Sequence, residues 1–395
     1  MNDPAPALPA RLIQIVARFR PEADGVGEAA LRVADVLWKD YGLPSDLVVC
    51  NSPRPGQALE VPPDFPHTVT RLDGAAPARL SLTLERLAQS SAPPPVVLLH
   101  FASYGYSRHG TPFWLARCLD RFVHGGGRLL TLFHELYASP RFPSKTLITS
   151  SLQRLVFRRV LALSDAAFTS SEIYLQKAEL DNAKRRPLRL IGICSNAGEP
   201  ENPRPLRLRK RRLSVFGRFS TRKRLYDLHL PFLQQVAQHL GIDEIADIGA
   251  VEDADWMHEN VHNRLVTPVR SCGELSIEAA SELLEDSVVG ALSYHPLLLG
   301  KSSVFAAYQA HAMAILLFPE HARASAEDAS APPREPGCWA LNAADLLALP
   351  ARSAALEYRL QKAATGAYAQ YRRHRSVRAM VDTLLPALRS NRSSR

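Results

Sequence analysis

Cysteine is sparse in this chain. The five in 395 residues, Cys50, Cys118, Cys194, Cys272 and Cys338, are scattered, odd in number and never arranged as Cys-x-x-Cys. That pattern excludes a disulfide framework and a cysteine-built zinc site. No uninterrupted apolar run is long enough to span a bilayer. The opening Met1-Asn2-Asp3-Pro4 lacks the basic stretch and apolar run of a secretory signal. A reducing cytoplasm is the expected compartment, with peripheral contact at the inner face of the membrane as a further option. Acidic residues are outnumbered, 39 against 48 Lys and Arg, which leaves a formal net charge of +9 and points to an anionic partner. Part of the excess lies in Arg204-Pro-Leu-Arg-Leu-Arg-Lys-Arg-Arg212, which reads as a solvated linker or face. No nucleic-acid-binding module accompanies it, so no nucleic-acid partner is expected.

The apolar fraction of 46% supplies a sizeable core, and 395 residues imply two domains. Strand-like and helix-like segments alternate, the pattern of a parallel sheet covered on both faces. In the first half the strands are Leu12–Val16, Val96–His100, Arg128–Phe133 and one near Ala166–Thr169, separated by amphipathic stretches at Glu28–Tyr41, Pro112–Val123 and Leu152–Leu163. Proline-rich Pro200–Pro205 breaks the pattern and reads as an interdomain linker. Alternation then resumes with strands at Leu213–Phe216, Ile245–Ile248, Val288–Leu292 and Ile315–Phe318 and helices near Leu228–Leu240, Ile277–Glu285 and Ser303–Ala312. Glu320–Pro336 reads as a polar surface loop, and Leu356–Leu388 as helical and basic. The fold class is therefore α/β, with two doubly wound, Rossmann-like domains.

Open parallel sheets bind ligands beyond the carboxyl ends of their strands, where helix N-termini point N–H groups at anions. After the first strand, Asp24-Gly25-Val26-Gly27-Glu28 lets backbone approach a ligand closely; Ala30 in the last position departs from the dinucleotide Gly-x-Gly-x-x-Gly pattern. Phe133-His134-Glu135 ends a buried strand, so an imidazole and a carboxylate emerge at a rim, with His100 on an adjacent strand. Gly217-Arg218-Phe-Ser-Thr-Arg-Lys223-Arg224 places cations after a strand, as a diphosphate requires. His295-Pro-Leu-Leu-Leu-Gly300-Lys301-Ser302-Ser303 adds a cation and two capping hydroxyls before a helix, a phosphate cradle without the upstream glycine of a Walker loop. Arg154, Arg158 and Arg159, beside Leu152, Leu155, Val156 and Val160, fit either a packed amphipathic helix or an anionic membrane surface.

Taken in order, these loops resemble those of glycosyltransferases of the family 4 type, the GT-B group. Gly25-Val-Gly27 resembles the family's glycine loop near the diphosphate, and Phe133-His134-Glu135 its substrate-contacting histidine corner. Cys194-Ser-Asn196-Ala-Gly198 resembles the turn that ends the first domain, and Gly217-Arg218 with Lys223 the Arg and Lys pair that holds the donor diphosphate. The resemblance implies two facing Rossmann-like domains with an interdomain cleft: an acceptor domain over 1–200, a donor domain over 201–350, and a helical segment over 351–395 that crosses back. It implies a nucleoside diphosphate sugar as donor substrate and a glycan or lipid-linked acceptor. Transfer is then retaining, with no metal and no cofactor. His134 is the implied catalytic residue; Gly25, Gly27, Arg218, Lys223, Lys301, Ser302 and Ser303 are the implied donor site, with His100 and Glu135 alongside. One departure is specific: the family's paired glutamates, eight positions apart, are here Leu299 and Ala307. It motivates a rival reading, a non-catalytic nucleotide- or glycan-binding protein on the same fold.

Overall fold

The computed structural model describes residues 7–19, 25–51, 66–72, 76–89, 95–138, 146–181, 187–318 and 340–389. The chain forms two compact units, one of residues 1–192 with 377–395 and the other of residues 193–376. The segment Glu320–Pro336 lies outside the described residues.

The first unit is built on seven parallel strands: β1 (Leu12–Val16), β2 (Ser45–Val49), β3 (Thr68–Arg71), β4 (Val96–Phe101), β5 (Arg128–Phe133), β6 (Ala166–Thr169) and β7 (Leu188–Leu190). Their order is β3-β2-β1-β4-β5-β6-β7, so the chain winds outward from β1, returns, and winds the other way from β4. Every residue of β1, β2 and β4 is buried, as expected where helices cover both faces. Phe133 packs edge-on against Phe101 (5.4 Å between centroids) and Phe157 (5.1 Å), which ties β4, β5 and the helix Thr146–Leu163 into one core.

The second unit repeats the plan with β8 (Lys210–Phe216), β9 (Glu244–Ile248), β10 (Val269–Gly273), β11 (Ser287–Ser293), β12 (Ala314–Phe318) and β13 (Ala340–Leu341). The order β10-β9-β8-β11-β12-β13 reverses between β8 and β11. The two units together make the α/β, doubly wound architecture read from the alternation.

Two local expectations are corrected. The basic run is not a solvated linker, because Lys210–Arg212 opens β8 and its cations are engaged. Lys210 pairs with Asp286 (2.8 Å), Arg212 with Glu244 (2.6 Å) and Arg211 with Glu357 (2.8 Å). Arg209, buried enough for its pKa to be pushed down to about 10, donates to the carbonyl of Ser287 at 3.1 Å. The following helix also begins earlier than the residues Leu228–Leu240, at Phe219, and runs to Leu240 across an internal Pro231. Arg222, Lys223 and Arg224 therefore stand on a helix rather than in a loop.

The closing segment divides between the units. The helix Ala354–His374 buries Leu356, Leu360, Ala363 and Ala364 in the core of the second unit. The helix Val377–Arg389 packs against the helix Gly25–Tyr41 of the first, where Arg128 donates to the carbonyl of Leu388 at 3.1 Å.

Candidate functional site

At the carboxyl edge of the first sheet, His134 follows β5 directly, and its backbone N–H bonds the carbonyl of Phe101 at 2.9 Å, which fixes it beside β4. His134 is 8% exposed and His100, inside β4, fully buried. Their rings stack at 5.6 Å, with His134 Nε2 3.3 Å from His100 Nδ1. Burial lowers the pKa of both rings, His134 to about 4, and His100 is lowered further by His134 itself. Both imidazoles are therefore neutral at pH 7. Beyond β4 and β6, the hydroxyls of Ser103, Ser170 and Ser171 are buried without a hydrogen-bond partner. Such groups carry a desolvation cost that a polar ligand offsets.

Glu135 is half-buried next to His134. Gly25 and Gly27 form the first turn of the helix Gly25–Tyr41, and Asp24 lies outside the described residues. A Cβ on Gly27 would stand 2.6 Å from the carbonyl oxygen of Arg18, so this glycine lets the helix start pack against the chain leaving β1. Gly25 has no such neighbour.

The carboxyl edge of the second sheet is built on glycine. Gly217, Gly249 and Gly273 follow or end the adjacent strands β8, β9 and β10, with φ of +131°, +138° and +67°. The Gly217 N–H bonds Ile248, and the Gly249 N–H bonds Gly273 at 2.8 Å, so three strand ends are laced together. A Cβ on Gly249 would lie 2.3 Å from the carbonyl oxygen of Gly217. Beneath them Arg222, 1% exposed, pairs with Asp247 and donates to the carbonyls of Gly217 (2.9 Å) and Ala250. Tyr226 donates to the other Asp247 oxygen at 2.8 Å. Burial raises the Asp247 carboxyl, and Arg222 opposes that rise.

Across the reversal, β11 leads through His295 and a short 3-10 turn, Pro296–Lys301, to the helix Ser303–Ala310. Ser302 caps that helix, its hydroxyl accepting the N–H of Phe305 at 3.1 Å. Lys301 is half-buried just before the cap, and His295 Nδ1 is buried without a partner. Arg218 is exposed at the start of the helix Phe219–Leu240, whereas Lys223 lies 3.2 Å over the Trp256 ring and 3.5 Å from Asp227. The second unit thus brings Gly217, Arg218, Lys301, Ser302 and Ser303 to the loops flanking its switch point, where open sheets take ligands. Lys223 is occupied on the side of the helix. Leu299 and Ala307 are both fully buried in the apolar core.

Sequence reading missed Arg222, Gly249 and Gln14. The signal for Arg222 was Asp247, a carboxylate inside the apolar run Ile245–Ile248 that a buried cation must meet. Gln14 in Leu12–Val16 carried the same kind of signal.

No family model and no curated protein matches the sequence. Solved structures do. An alpha,alpha-trehalose-phosphate synthase (UDP-forming) from Burkholderia vietnamiensis is 18% identical with a TM-score of 0.60, covering 96% of this chain and 100% of its own. An alpha-glucosyltransferase in complex with UDP and a 13-mer DNA is 11% identical, TM-score 0.56, over 96% of this chain and 99% of its own. A Listeria monocytogenes protein assigned as a UDP-N-acetylglucosamine 2-epimerase is 14% identical, TM-score 0.54, over 97% and 96%.

The chain has the GT-B fold.

Similarity at this identity carries the fold alone, and proteins of more than one activity share it. On the GT-B frame, both strand-order reversals fall beside the groups described above: β1 and β4 beside His100 and His134, β8 and β11 beside Gly217 and Lys301. Among the described residues no group of three or more His, Cys, Asp or Glu is gathered as a metal site, and no helix is long and apolar enough to cross a membrane.

Proposed function

We propose that this chain is a glycosyltransferase of the family 4 type that moves a sugar from a nucleoside diphosphate sugar to a hydroxyl of a glycan or lipid-linked acceptor, with retention and without a metal. The observation that carries the reading is the glycine-laced edge of β8, β9 and β10 beside a capped helix preceded by Lys301. Close-approach backbone, a helix N-terminus and flanking cations together suit a diphosphate. The second unit holds the nucleotide through Gly217, Arg218, Lys301, Ser302 and Ser303. Charge on the departing diphosphate is stabilised by Arg218, Lys301 and the helix N-terminus. The first unit presents His134 to the sugar or acceptor, with His100 and Glu135 beside it. A panel of nucleotide sugars, followed by release of the nucleoside diphosphate, tests the reading; no turnover with any donor and acceptor pair overturns it.

A second reading, nucleotide or glycan binding without turnover, is favoured by one observation. Leu299 and Ala307, which stand where the family has glutamates, are wholly buried among apolar side chains, where a carboxylate would be an unpaired charge. Tight binding of a nucleoside diphosphate without turnover supports it.

We also propose peripheral membrane contact through the helix Thr146–Leu163, on which Leu152, Leu155 and Ile148 are exposed. Val156 and Val160 are core, and Arg154 and Arg158 already pair with Asp181. Flotation with liposomes containing acidic lipid tests it; protein left at the bottom of the gradient overturns it.

A further inference from the structure

A file of polar side chains runs across the first sheet beneath the edge that carries His134. Gln14 lies on β1 and His100 on β4, the two strands between which the winding reverses. Gln14, like His100, is fully buried. His100 Nε2 lies 3.0 Å from Gln14 Oε1, and Gln14 Nε2 donates to the hydroxyl of Ser45 on β2 at 3.3 Å. Tyr106 holds the backbone of the same strand, its hydroxyl donating to the carbonyl of His100 at 2.9 Å.

The direction of this file determines where each proton sits. With its amide nitrogen on Ser45, Gln14 turns its carbonyl oxygen to His100, so His100 Nε2 must carry a hydrogen. A neutral His100 then has a bare Nδ1, which accepts from His134 Nε2–H. His134 has spent its one N–H on that bond. Its Nδ1 makes no hydrogen bond among the described residues. Burial keeps both rings neutral at pH 7, which the scheme requires.

We infer that Gln14 and His100 are positioning residues that hold His134 as its Nε2–H tautomer, so that its Nδ1 is a bare acceptor for a hydroxyl of bound ligand. The tautomer follows from the hydrogen-bond geometry of two neutral rings and does not depend on what the protein binds. Only the identity of the hydroxyl, one of the sugar or of the acceptor, rests on the glycosyltransferase reading. His134 so held directs a hydrogen bond and stores no proton, since a ring this hard to protonate is a weak base.

Nitrogen-detected NMR of the full chain labelled with 15N-histidine distinguishes the tautomers, with His134→Gln and His100→Gln assigning the signals. At pH 7, His134 is expected to show a protonated Nε2 and an unprotonated Nδ1; a protonated Nδ1 overturns the inference. Gln14→Leu, which removes the carbonyl, is expected to let His134 populate both tautomers, and an unchanged His134 overturns the relay. Should Gln14→Leu not fold, Gln14→Met, an uncharged side chain of similar length without the carbonyl, decides: His134 must then populate both tautomers, and an unchanged His134 overturns the relay. If nucleotide-sugar transfer is found, Gln14→Leu is expected to lower kcat roughly tenfold with KM nearly constant, the weakening of one transition-state hydrogen bond. An intact tautomer pattern in a chain that turns over no nucleotide sugar leaves the relay standing and removes only the functional reading.

Discussion

Arg222 and Asp247 form an ion pair in the interior of the second unit, with the side chains 1% and 0% exposed. The pair comes from two elements, the helix Phe219–Leu240 and β9, and the same guanidinium reaches the carbonyls of Gly217 and Ala250. One buried cation thus fixes the two loops that end β8 and β9. Removing one partner leaves an uncompensated charge, a loss of about 3–5 kcal/mol. Arg222→Met is therefore expected to destabilise the fold strongly, while Arg222→Met with Asp247→Leu is expected to recover much of the loss, as read from chemical denaturation. Equal destabilisation in the single and double variants would contradict this account.

Gly249 and Gly273 separate backbone strain from close approach. Both have positive φ, but a Cβ on Gly249 meets the Gly217 carbonyl at 2.3 Å, whereas one on Gly273 meets nothing within 4 Å. Gly273→Ala is expected to cost about 1–2 kcal/mol from strain alone. Gly249→Ala should cost more and, by prising β9 from β8, weaken the proposed nucleoside diphosphate binding at least tenfold by calorimetry. Similar affinities for the two variants would remove Gly249 from the edge's design.

Elements with apolar interiors were legible in the sequence. Val96–Phe101 and Arg128–Phe133 announce buried strands because their residues are mostly apolar. Other elements were hidden by charge. Lys210–Arg212 reads as a linker because its partners, Glu244, Asp286 and Glu357, lie far away along the chain. The helix start at Phe219 was concealed by three cations, one of which, Arg222, is almost fully buried. β10 was missed because no residue of the edge strand Val-Arg-Ser-Cys-Gly is buried and its centre is polar. At the candidate site, His134 and Gly217 were readable from their place after strands, while the tie between Gln14 and His100 crosses 86 positions and needed the sheet order.

Acid should weaken the first unit through its histidines. His134 falls from 6.5 to about 4 in the folded chain, so below pH 6.5 the unfolded chain takes up protons that the folded chain refuses. The stabilisation is complete above pH 6.5 and lost towards pH 4, up to about 3 kcal/mol for this ring. His100 acts in the same sense. Asp181 and Asp286, whose pKa values are lowered, lose their contributions only below about the ordinary 3.8, and Asp247, raised by burial, acts in the opposite sense. Thermal melting of the full chain between pH 7 and pH 4.5 should therefore show a falling Tm that flattens in a His100→Gln/His134→Gln variant. An equal slope in that variant would assign the acid sensitivity elsewhere.

Lys301 and Arg218 bear on the proposed donor site from two sides of the second switch point, one before the helix capped by Ser302 and one at the start of the helix after β8. In the proposed glycosyltransferase, with Leu299 and Ala307 buried where family 4 enzymes carry glutamates, nucleotide recognition would fall mainly on the phosphates. A charge-assisted contact is worth about 1.5–3 kcal/mol, so Lys301→Ala and Arg218→Ala should each weaken nucleoside diphosphate binding roughly ten- to a hundredfold. The free nucleoside should bind almost unchanged to both. Lys223 provides the internal control: with its ammonium held over Trp256 and beside Asp227, Lys223→Ala should cost the fold a little and the diphosphate less than Arg218→Ala does. His134→Ala should spare diphosphate binding and reduce turnover, because its proposed partner is the sugar or acceptor. Calorimetric titration of the four variants separates these outcomes. Diphosphate binding by Lys301→Ala as tight as that of the parent would reduce Gly300–Ser303 to a capped helix start.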